Sequence, residues 1–460
     1  MKVGMPNESK LFLDACPDPD AKPVEEAAAS VATHRRDFLR TTGALGAALV
    51  TGFPAIISAQ SVSNAIKIGL VGCGGRGTGA AAQALAADDY NELVAVADID
   101  QGQIDKALEE LRTTSQGKFS TRVKVATDKQ FLGLDAYQKV LDSGIDVILL
   151  ATPPGFRPTH LAASVEAGKH IFCEKPISTD APGVRKVLET VKLAKQKNLS
   201  LVAGFCWRYN EMIQATFEQI HSGAIGRIVA YYATYYTSPV KPMPPESARP
   251  AGMSDTEWQI RNWYNFCWLC GDSIVEQAVH SADKIAWAMN DKPPVSCVGV
   301  GGRQIPANGG NIYDHFEVNY LYENDVRGFL ANRQIEGCYN ENADYILGTD
   351  GACTIGRGKT PRITGKNTWT WAGTTPYDMY QREHDVLFAA VRKNQPVNDG
   401  ERMATSTLLA MMGRMTAYTG EQLTWDQALN SQESIFPAKL DWNGALAVAP
   451  RPMPGVTKFL

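Results

Sequence analysis

One stretch, residues 66–79 (IKIGLVGCGGRGTG), constrains the fold of this chain more than any other. A run of β-forming residues leads into a glycine-rich turn, and an alanine-rich segment of helical composition follows. Gly72, Gly74 and Gly77 have the GxGxxG spacing, which lets the backbone approach a pyrophosphate at a tight strand-to-helix turn. A second apolar run ends at Asp98, where a carboxylate can accept both ribose hydroxyls. The stretch predicts dinucleotide binding; the alternative is a purely structural glycine-rich turn.

The composition is that of an ordinary globular protein, long enough at 460 residues for two domains. The net charge of −4 gives no basic footprint for nucleic acid, so none is expected as a partner. The nine cysteines form no legible disulfide framework. Cys267 and Cys270 form a CxxC without a second pair, so we interpret them as buried or incidental thiols and predict no metal site.

The N-terminal region carries a candidate export signal. Residues 1–33 are polar and acidic, which predicts a disordered leader. Paired Arg35 and Arg36 precede the uncharged residues 41–59, so residues 34–59 resemble a twin-arginine signal. We therefore expect the twin-arginine translocase as a partner and a periplasmic location. A membrane anchor is the alternative, and an uncleaved signal would leave a tether.

The rest of the sequence predicts an α/β fold with two domains. Residues 62–205 alternate strands with helices, which indicates a Rossmann domain with a doubly wound parallel sheet; its strands are expected at 66–71, 92–97, 122–126, 146–151, 170–174 and 200–206. Residues 206–460 predict an α+β domain with a largely antiparallel sheet, whose strands include 227–236, 295–303, 314–323, 326–335 and 343–355. The Pro- and Trp-rich stretch 240–270 is interpreted as a substrate-cleft loop or lid.

Lys175 is the first candidate for chemistry. It follows the apolar strand HIFC in Glu174-Lys175-Pro176. Because ligands bind beyond the carboxyl ends of parallel strands, Lys175 should point into the crevice and stabilise alkoxide character in a substrate hydroxyl. The alternative is an ordinary surface lysine at a strand end.

Glu276 and His280 are the second candidate. If their surroundings form one helix, the spacing i, i+4 places both side chains on one face, and Asp283 lies on nearly the same stripe. A histidine with a near-neutral pKa suits proton removal from an alcohol, and Asp283 could hold its tautomer. The alternative is an ordinary helix histidine beside solvated acids.

These motifs together resemble the glucose–fructose oxidoreductase / inositol dehydrogenase (Gfo/Idh/MocA) family. The resemblance spans residues 66–425 and rests on the glycine turn, ATPP at 151–154, AGKHIFCEKP at 167–176, GFCWRYN at 204–210 and the acid–His segment 276–283. It implies that Lys175, His280 and Glu276 line the site of hydride transfer. The family usually has Asp where this chain has Glu276.

The remaining predicted contacts combine the motif positions with this resemblance. Arg208, Asn210 and Asp283 are candidate substrate contacts, and a homo-oligomer is expected by analogy with the family. No Lys or Arg adjoins Asp98-Ile99-Asp100, so the local charge favours NAD over NADP. The predicted cofactor-binding residues are Gly72, Gly74, Gly75, Arg76, Gly77, Asp98, Thr152, Pro153, His160, Glu174 and Lys175.

The leading hypothesis is an NAD(H)-dependent oxidoreductase acting on a secondary hydroxyl of a sugar, cyclitol or glycoside. Export in the folded state would require a tightly held cofactor. The first alternative is a redox-neutral, NAD-dependent glycoside hydrolase, for which Tyr235, Tyr236 and Tyr264 are further candidate bases. The second is a non-catalytic sugar- or nucleotide-binding protein on the same fold.

Overall fold

The structure is a computed structural model that describes residues 65–306, 309–356, 359–374 and 376–460, without the side chains of residues 114–116. The predicted leader (1–33) and twin-arginine segment (34–59) lie outside the described residues. Within the described residues, no helix is long and apolar enough to cross a membrane.

The first sheet has six parallel strands in the order β3-β2-β1-β4-β5-β6. They are β1 (Ile66–Val71), β2 (Asn91–Asp98), β3 (Gln130–Leu132), β4 (Val147–Leu150), β5 (His170–Cys173) and β6 (Leu201–Ala203). This order puts the doubly wound crevice beside β1, as predicted.

The predicted third strand, 122–126, is wrong. Val123 makes only an isolated bridge to Leu93, and the sheet takes residues 130–132 instead. The apolar alternation that suggested a strand has another cause, because Val123 and Val125 are buried in the core beneath the helix that precedes them.

Five helices cover this sheet. They are α1 (Gly75–Ala87), α2 (Gln101–Gly117), α3 (Ala136–Leu141), α4 (Arg157–Glu166) and α5 (Ala181–Gln196). Right-handed strand–helix–strand crossovers of this kind bury both faces of a parallel sheet. Asp180 begins α5 by accepting a hydrogen bond from the Gly183 amide at 2.9 Å.

The second sheet has nine strands, in the order β14-β13-β12-β11-β7-β10-β9-β8-β15. They are β7 (Ile228–Thr237), β8 (Ser296–Gly302), β9 (His315–Leu321), β10 (Arg327–Gln334), β11 (Glu341–Gly348), β12 (Gly351–Gly356), β13 (Lys359–Gly365), β14 (Trp369–Thr370) and β15 (Leu423–Thr424). Only β7 and β10 pair in parallel, so the prediction of a largely antiparallel sheet is confirmed. The expected single strand 343–355 is a hairpin of β11 and β12.

Eight helices accompany the second sheet. They are α6 (Glu211–His221), α7 (Asp255–Arg261), α8 (Cys267–Cys270), α9 (Ser273–Glu276), α10 (Val279–Ala288), α11 (Met379–Lys393), α12 (Gly400–Thr419) and α13 (Trp425–Asn430). The buried helix α12 packs on β8, α10 and α5, whereas α11 packs on α1. The chain therefore ties the second sheet back to the glycine-rich turn.

The stretch 240–270, called the insert from here on, is more ordered than a loop. It contains α7, α8 and two short 3₁₀ turns. Its large apolar side chains form a separate core with the C-terminal segment 431–460, called the tail. Burial of such aromatic surface gives the insert a fixed position instead of a mobile one.

Candidate active site

The glycine turn has the shape that a pyrophosphate requires. Gly72 has φ = +95°, and a Cβ there would lie 2.8 Å from the Ala151 carbonyl carbon. A Cβ on Gly77 would lie 1.8 Å from the Gly72 carbonyl oxygen, so only glycine lets α1 pack this close. A Cβ on Gly74 or Gly75 would meet nothing within 4 Å. The outer two glycines thus serve the turn and its packing, and the middle two leave room for a ligand at the helix N-terminus.

Asp98 links the end of β2 to this turn by a side-chain hydrogen bond. Its Oδ2 accepts a hydrogen bond from the Cys73 amide at 2.6 Å, and its Oδ1 accepts from the amides of Ile99 and Asp100. Burial raises the pKa of the Asp98 carboxyl, while these amide hydrogen bonds act in the opposite direction. Asp98 also lines the cleft described next, so the predicted ribose-side carboxylate is in place.

A cleft of about 380 Å³ opens beside the glycine turn. Seven of the predicted cofactor-binding residues line it: Gly72, Gly74, Gly75, Asp98, Thr152, Pro153 and His160. Ile99 and Asp100, which the sequence had placed on the ribose side, line it too. Sequence reasoning missed a further group of lining residues: Gln103, Leu134, Tyr137, Phe156, Lys241, Ile260, Arg261 and Trp263. The last four come from the insert and had no local signal, because more than 130 residues separate them from the turn that they face.

His160 forms an inner wall of the cleft. Its Nδ1 lies 3.2 Å from Thr152 Oγ1, and its ring centroid lies 4.2 Å from that of Tyr137. Burial, with the charges of Arg157 and Lys186, lowers the pKa of His160 to about 3. The ring is therefore neutral and offers a flat surface, not a charge.

Arg76, Gly77, Glu174 and Lys175 do not line this cleft. Arg76 Nε lies 2.5 Å from Glu174 Oε1, and the Lys175 amide donates to Glu174 Oε2 at 3.2 Å. Glu174 is buried, so this ion pair links the glycine turn to the strand end that carries Lys175. The geometry gives Arg76 and Glu174 a positioning role.

Lys175 and Glu276 meet although 101 residues separate them in the chain. Lys175 Nζ donates to the Glu276 carbonyl oxygen at 2.6 Å and to Glu276 Oε1 at 3.0 Å. Their side chains are only 11% and 7% exposed. Of the three N–H donors of the ammonium, two are used by Glu276 within the described part of the chain, which leaves the third for a substrate oxygen.

Two residues extend this pair into a network. Glu276 Oε2 accepts a hydrogen bond from Gln277 Nε2 at 2.6 Å, and Gln277 Oε1 accepts from the Tyr235 hydroxyl at 2.8 Å. Sequence reasoning had named Tyr235 as one of three tyrosines and had missed Gln277. The network fixes the Glu276 carboxylate from the side opposite Lys175.

The single helix expected from Glu276 to Asp283 is wrong. Helix α9 ends at Glu276, Gln277 and Ala278 form a turn, and α10 begins at Val279. The break frees the Gln277 side chain to join the network. His280 consequently lies in the first turn of its own helix.

His280 is held as a neutral imidazole. Burial and the positive charges of Lys175 and Lys284 lower its pKa well below the usual value. Its Nδ1 is enclosed and finds no hydrogen-bond partner among the described residues, while the side chain as a whole is half-buried. Nε2 is therefore the nitrogen available for proton exchange with a ligand.

The three predicted substrate contacts have other roles. Arg208 Nε lies 3.1 and 3.0 Å from the two carboxylate oxygens of Asp283, and both side chains are buried. A second carboxylate, that of Asp291, lies 2.5 Å from Arg208 Nη2. Asn210 caps α6 by accepting a hydrogen bond from the Ile213 amide at 3.1 Å. Asp283 thus neutralises Arg208, and the expectation that it orients His280 is wrong.

The other two candidate tyrosines differ in position. Tyr236 points to the opposite face of the second sheet from Tyr235, with its hydroxyl 3.2 Å from that of Tyr232, so it is remote from the network. Tyr264 lines a second cavity of about 160 Å³ together with Met243, Tyr313 and Gln334. Burial and the nearby Glu276 charge raise the pKa of Tyr264 well above its usual value, which suits a hydrogen-bond donor and not a base.

The CxxC pair is buried inside the protein. Burial raises the pKa of Cys267 to about 11 and that of Cys270 well above its usual value, so both thiols are protonated. In the part of the chain that the structure describes, no group of three or more His, Cys, Asp or Glu side chains could hold a metal ion.

The sheet order, the glycine turn and the acid that ends β2 define a Rossmann dinucleotide-binding protein with a polar site at the carboxyl end of β5. Residues 66–205 match the family model described as "Oxidoreductase family, NAD-binding Rossmann fold" (GFO_IDH_MocA). This stretch, less than a third of the chain, is similar to the NAD-binding domain of that oxidoreductase family. The match supports the prediction of NAD as cofactor.

Similar proteins agree with this class. Inositol 2-dehydrogenase 2 of Saccharopolyspora erythraea is 24% identical over 267 residues, which cover 58% of this chain and 70% of that protein. Glycosyl hydrolase family 109 protein 1 of Shewanella sp. strain MR-4 is 25% identical over 221 residues, covering 44% of this chain and 46% of that protein. Another curated relative is matched over only 23% of its length.

A solved structure shares the fold. Levoglucosan dehydrogenase in complex with NADH and levoglucosan superposes with a TM-score of 0.62 at 17% identity, covering 78% of this chain and 99% of that one. At this identity the likeness extends to the fold alone.

Proposed function

We propose that this protein is an NAD(H)-dependent oxidoreductase that acts on a secondary hydroxyl of a sugar, cyclitol or glycoside. The observation that carries the proposal is the buried contact between Lys175 and Glu276, with one ammonium N–H left over, at the carboxyl end of β5. Bound NAD supplies the hydride acceptor. The named activities of the inositol and levoglucosan dehydrogenases support the substrate class.

Each side chain of the site has a distinct task in this proposal. Lys175 donates its remaining N–H to the substrate hydroxyl oxygen and stabilises negative charge that develops there. His280, neutral because of its lowered pKa, accepts the hydroxyl proton at Nε2. Glu276 holds the Lys175 ammonium in place through both its carboxylate and its carbonyl oxygen. Glu276 is buried and the Lys175 side chain is only 11% exposed, which limits the access of competing water.

The experiment that tests the proposal is direct. The purified protein is supplied with NAD and a panel of aldoses, cyclitols and glycosides, and formation of reduced nicotinamide is followed. A Lys175→Ala variant, which retains the fold and NAD binding, should lose this signal; unchanged turnover in that variant would leave a non-catalytic binding protein as the better account.

A second function, redox-neutral glycoside hydrolysis, has one supporting observation of its own. Family 109 glycosyl hydrolases are among the relatives of this chain. Such a reaction also needs an additional proton donor or acceptor, and Tyr264 lies close enough to Glu276 for its pKa to respond to that charge. Release of sugar from a glycoside with no net NADH would favour this function over a plain dehydrogenase.

We further propose export of the folded protein by the twin-arginine pathway, with NAD loaded beforehand and tightly held. Arg35 and Arg36, with the uncharged segment behind them, support this proposal. The test is fractionation of cells that express the full chain. The double variant Arg35→Lys, Arg36→Lys should stay in the cytoplasm, whereas an unchanged distribution between the fractions would contradict export by this route.

A homo-oligomer is proposed from the outer face of the second sheet. Tyr232 on this face contacts Phe329 and Tyr345, with ring centroids 6.4 and 6.3 Å apart. Val300 and Leu347 on the same face are 66% and 52% exposed, so a second copy packed here would bury apolar surface that now faces solvent. Light scattering of the native protein should give a multiple of the chain mass, and Val300→Asp should shift it towards the monomer.

A further inference from the structure

The outer wall of the dinucleotide cleft comes from the insert and not from the Rossmann sheet. Lys241, Ile260, Arg261 and Trp263 line the same cleft as Asp98 and the glycine turn. A Rossmann domain alone leaves its adenosine side open to solvent beyond the strand ends. Here that side faces an apolar and an aromatic side chain, Ile260 and Trp263, which suit a flat purine.

An ion pair joins the insert to the ribose side of the cleft. Arg261 Nη1 contacts Asp100 Oδ2, two residues past the acid that ends β2. Glu257, one helical turn earlier in α7, holds Arg261 Nε at 2.7 Å. The two side chains of the Arg261–Asp100 pair are about one-third exposed, so the pair lies at the mouth of the cleft.

Apolar packing fixes the insert in this position. Its residues form one cluster with side chains of the cleft rim and of the tail; the rim contributes Ile99, Leu134 and Phe156, and the tail contributes Ile435, Phe436, Leu440, Trp442 and Leu446. The tail is hydrogen-bonded to α7, because Gln259 Nε2 donates to the Leu446 carbonyl oxygen at 2.7 Å and the Leu446 amide donates to Asp255 Oδ2 at 3.1 Å. The insert is thus held from both sides.

We propose that Ile260, Arg261 and Trp263 complete the adenosine-binding site and that the Arg261–Asp100 pair closes its mouth, so that NAD leaves only when this pair opens. The inference rests on the proposed NAD-dependent function and assigns its cofactor retention to named residues. Slow release then follows from the structure of the cleft itself and needs no particular substrate.

The test measures NADH release from the full-length purified protein. Bound NADH is displaced by excess NAD, and the loss of its fluorescence gives the dissociation rate. Arg261→Gln and Asp100→Asn should each speed release about tenfold, and the double variant should be no faster than either, since both remove the same contact. Trp263→Ala should speed release at least as much.

The matched control is Arg249→Gln. Arg249 also lies in the insert and pairs with Asp255 and Glu246, but it does not line the cleft. Its release rate should match that of the unaltered protein. Equal release rates in all variants, with NADH still bound, would overturn the inference and leave the proposed function intact. A protein that binds no NADH at all would instead contradict the proposed function.

Discussion

Lys175 Nζ lies 2.6 Å from the carbonyl oxygen of Glu276 and 3.0 Å from its carboxylate, a contact between a strand end of the first sheet and a short helix of the second part of the chain. Glu276 thus supplies two acceptors to the ammonium, a backbone carbonyl oxygen and a carboxylate oxygen. Substitution of the Glu276 side chain therefore removes the charge but leaves the carbonyl oxygen to hold the ammonium.

Lys175→Ala should lower kcat by about a hundredfold or more, because the donor to the developing oxyanion is lost. The NAD dissociation constant should change little, since Lys175 does not line the cleft. Steady-state kinetics with separate measurement of NAD binding checks both. Lys192→Ala, a change of an exposed lysine on α5, is the control and should behave as the unaltered protein.

Glu276→Gln and Glu276→Asp separate charge from length. Gln removes the negative charge beside Lys175 and should lower kcat. Asp keeps the charge, so its kcat should be higher than that of the Gln variant. The measurement is kcat for both variants at one pH with NAD saturating. Equal losses in the two variants would mean that the reach of the side chain, and not its charge, is what the site requires.

The pH profile should report His280. Its imidazole must be neutral to accept a proton, and its folded-state pKa is lowered well below the ordinary value of 6.5. As pH falls through that lowered pKa, the ring becomes charged and kcat/KM decreases. The acidic limb should therefore lie well below pH 6.5 and vanish in His280→Asn along with most activity. A limb at pH 6.5 or above would contradict a histidine that the site holds neutral.

Asp100→Asn should change cofactor preference. Asp100 neutralises Arg261, the cation nearest the acid that ends β2, so its loss frees a guanidinium for the 2′-phosphate of NADP. The ratio of NADP to NAD affinity should rise by about tenfold. Fluorescence titration with both reduced cofactors measures it, with Asp142→Asn, an exposed residue that does not line the cleft, as the control.

Asp283→Ala should destabilise the fold without a specific effect on substrate affinity. It leaves the buried Arg208 guanidinium paired with the partly exposed Asp291 alone, so the loss of unfolding free energy should reach at most about 3–5 kcal/mol, the cost of a fully uncompensated buried charge. Denaturant unfolding checks this, with Glu189→Ala in an exposed ion pair expected within about 0.5 kcal/mol of the unaltered protein. Unchanged stability with a raised KM would restore the role in substrate binding that the sequence suggested.

The predictions that held from sequence were those in which a few adjacent residues determine the structure. Gly72 and Gly77 could be assigned to the turn because their requirements, a positive φ and close backbone packing, are local. Lys175 could be placed at a strand end because the apolar run before it is short and buried. These positions carry their structural reason within a dozen residues.

The predictions that failed concern features that contacts between distant parts of the chain determine. The third strand has only three residues, too few for a periodic apolar pattern. The buried Val123 nearby belongs to an apolar alternation that is typical of a strand, although it lies outside the sheet. At the break between α9 and α10, Gln277 contacts Glu276 and Tyr235, and no spacing rule predicts a contact with a residue as distant in the chain as Tyr235. Arg261 was missed for the same reason, although it reverses the assumption that no cation lies near Asp98 and Asp100.

The central claim is that Lys175 acts on a substrate hydroxyl beside bound NAD, and reduction of that NAD tests it most directly. Purified protein loaded with NAD is mixed with cyclitols, aldoses and glycosides in turn, and the fluorescence of reduced nicotinamide is recorded for the unaltered protein and for Lys175→Ala. The account predicts that at least one compound raises the signal only in the unaltered protein. An equal signal in both proteins, or no signal with any compound that binds, would contradict it.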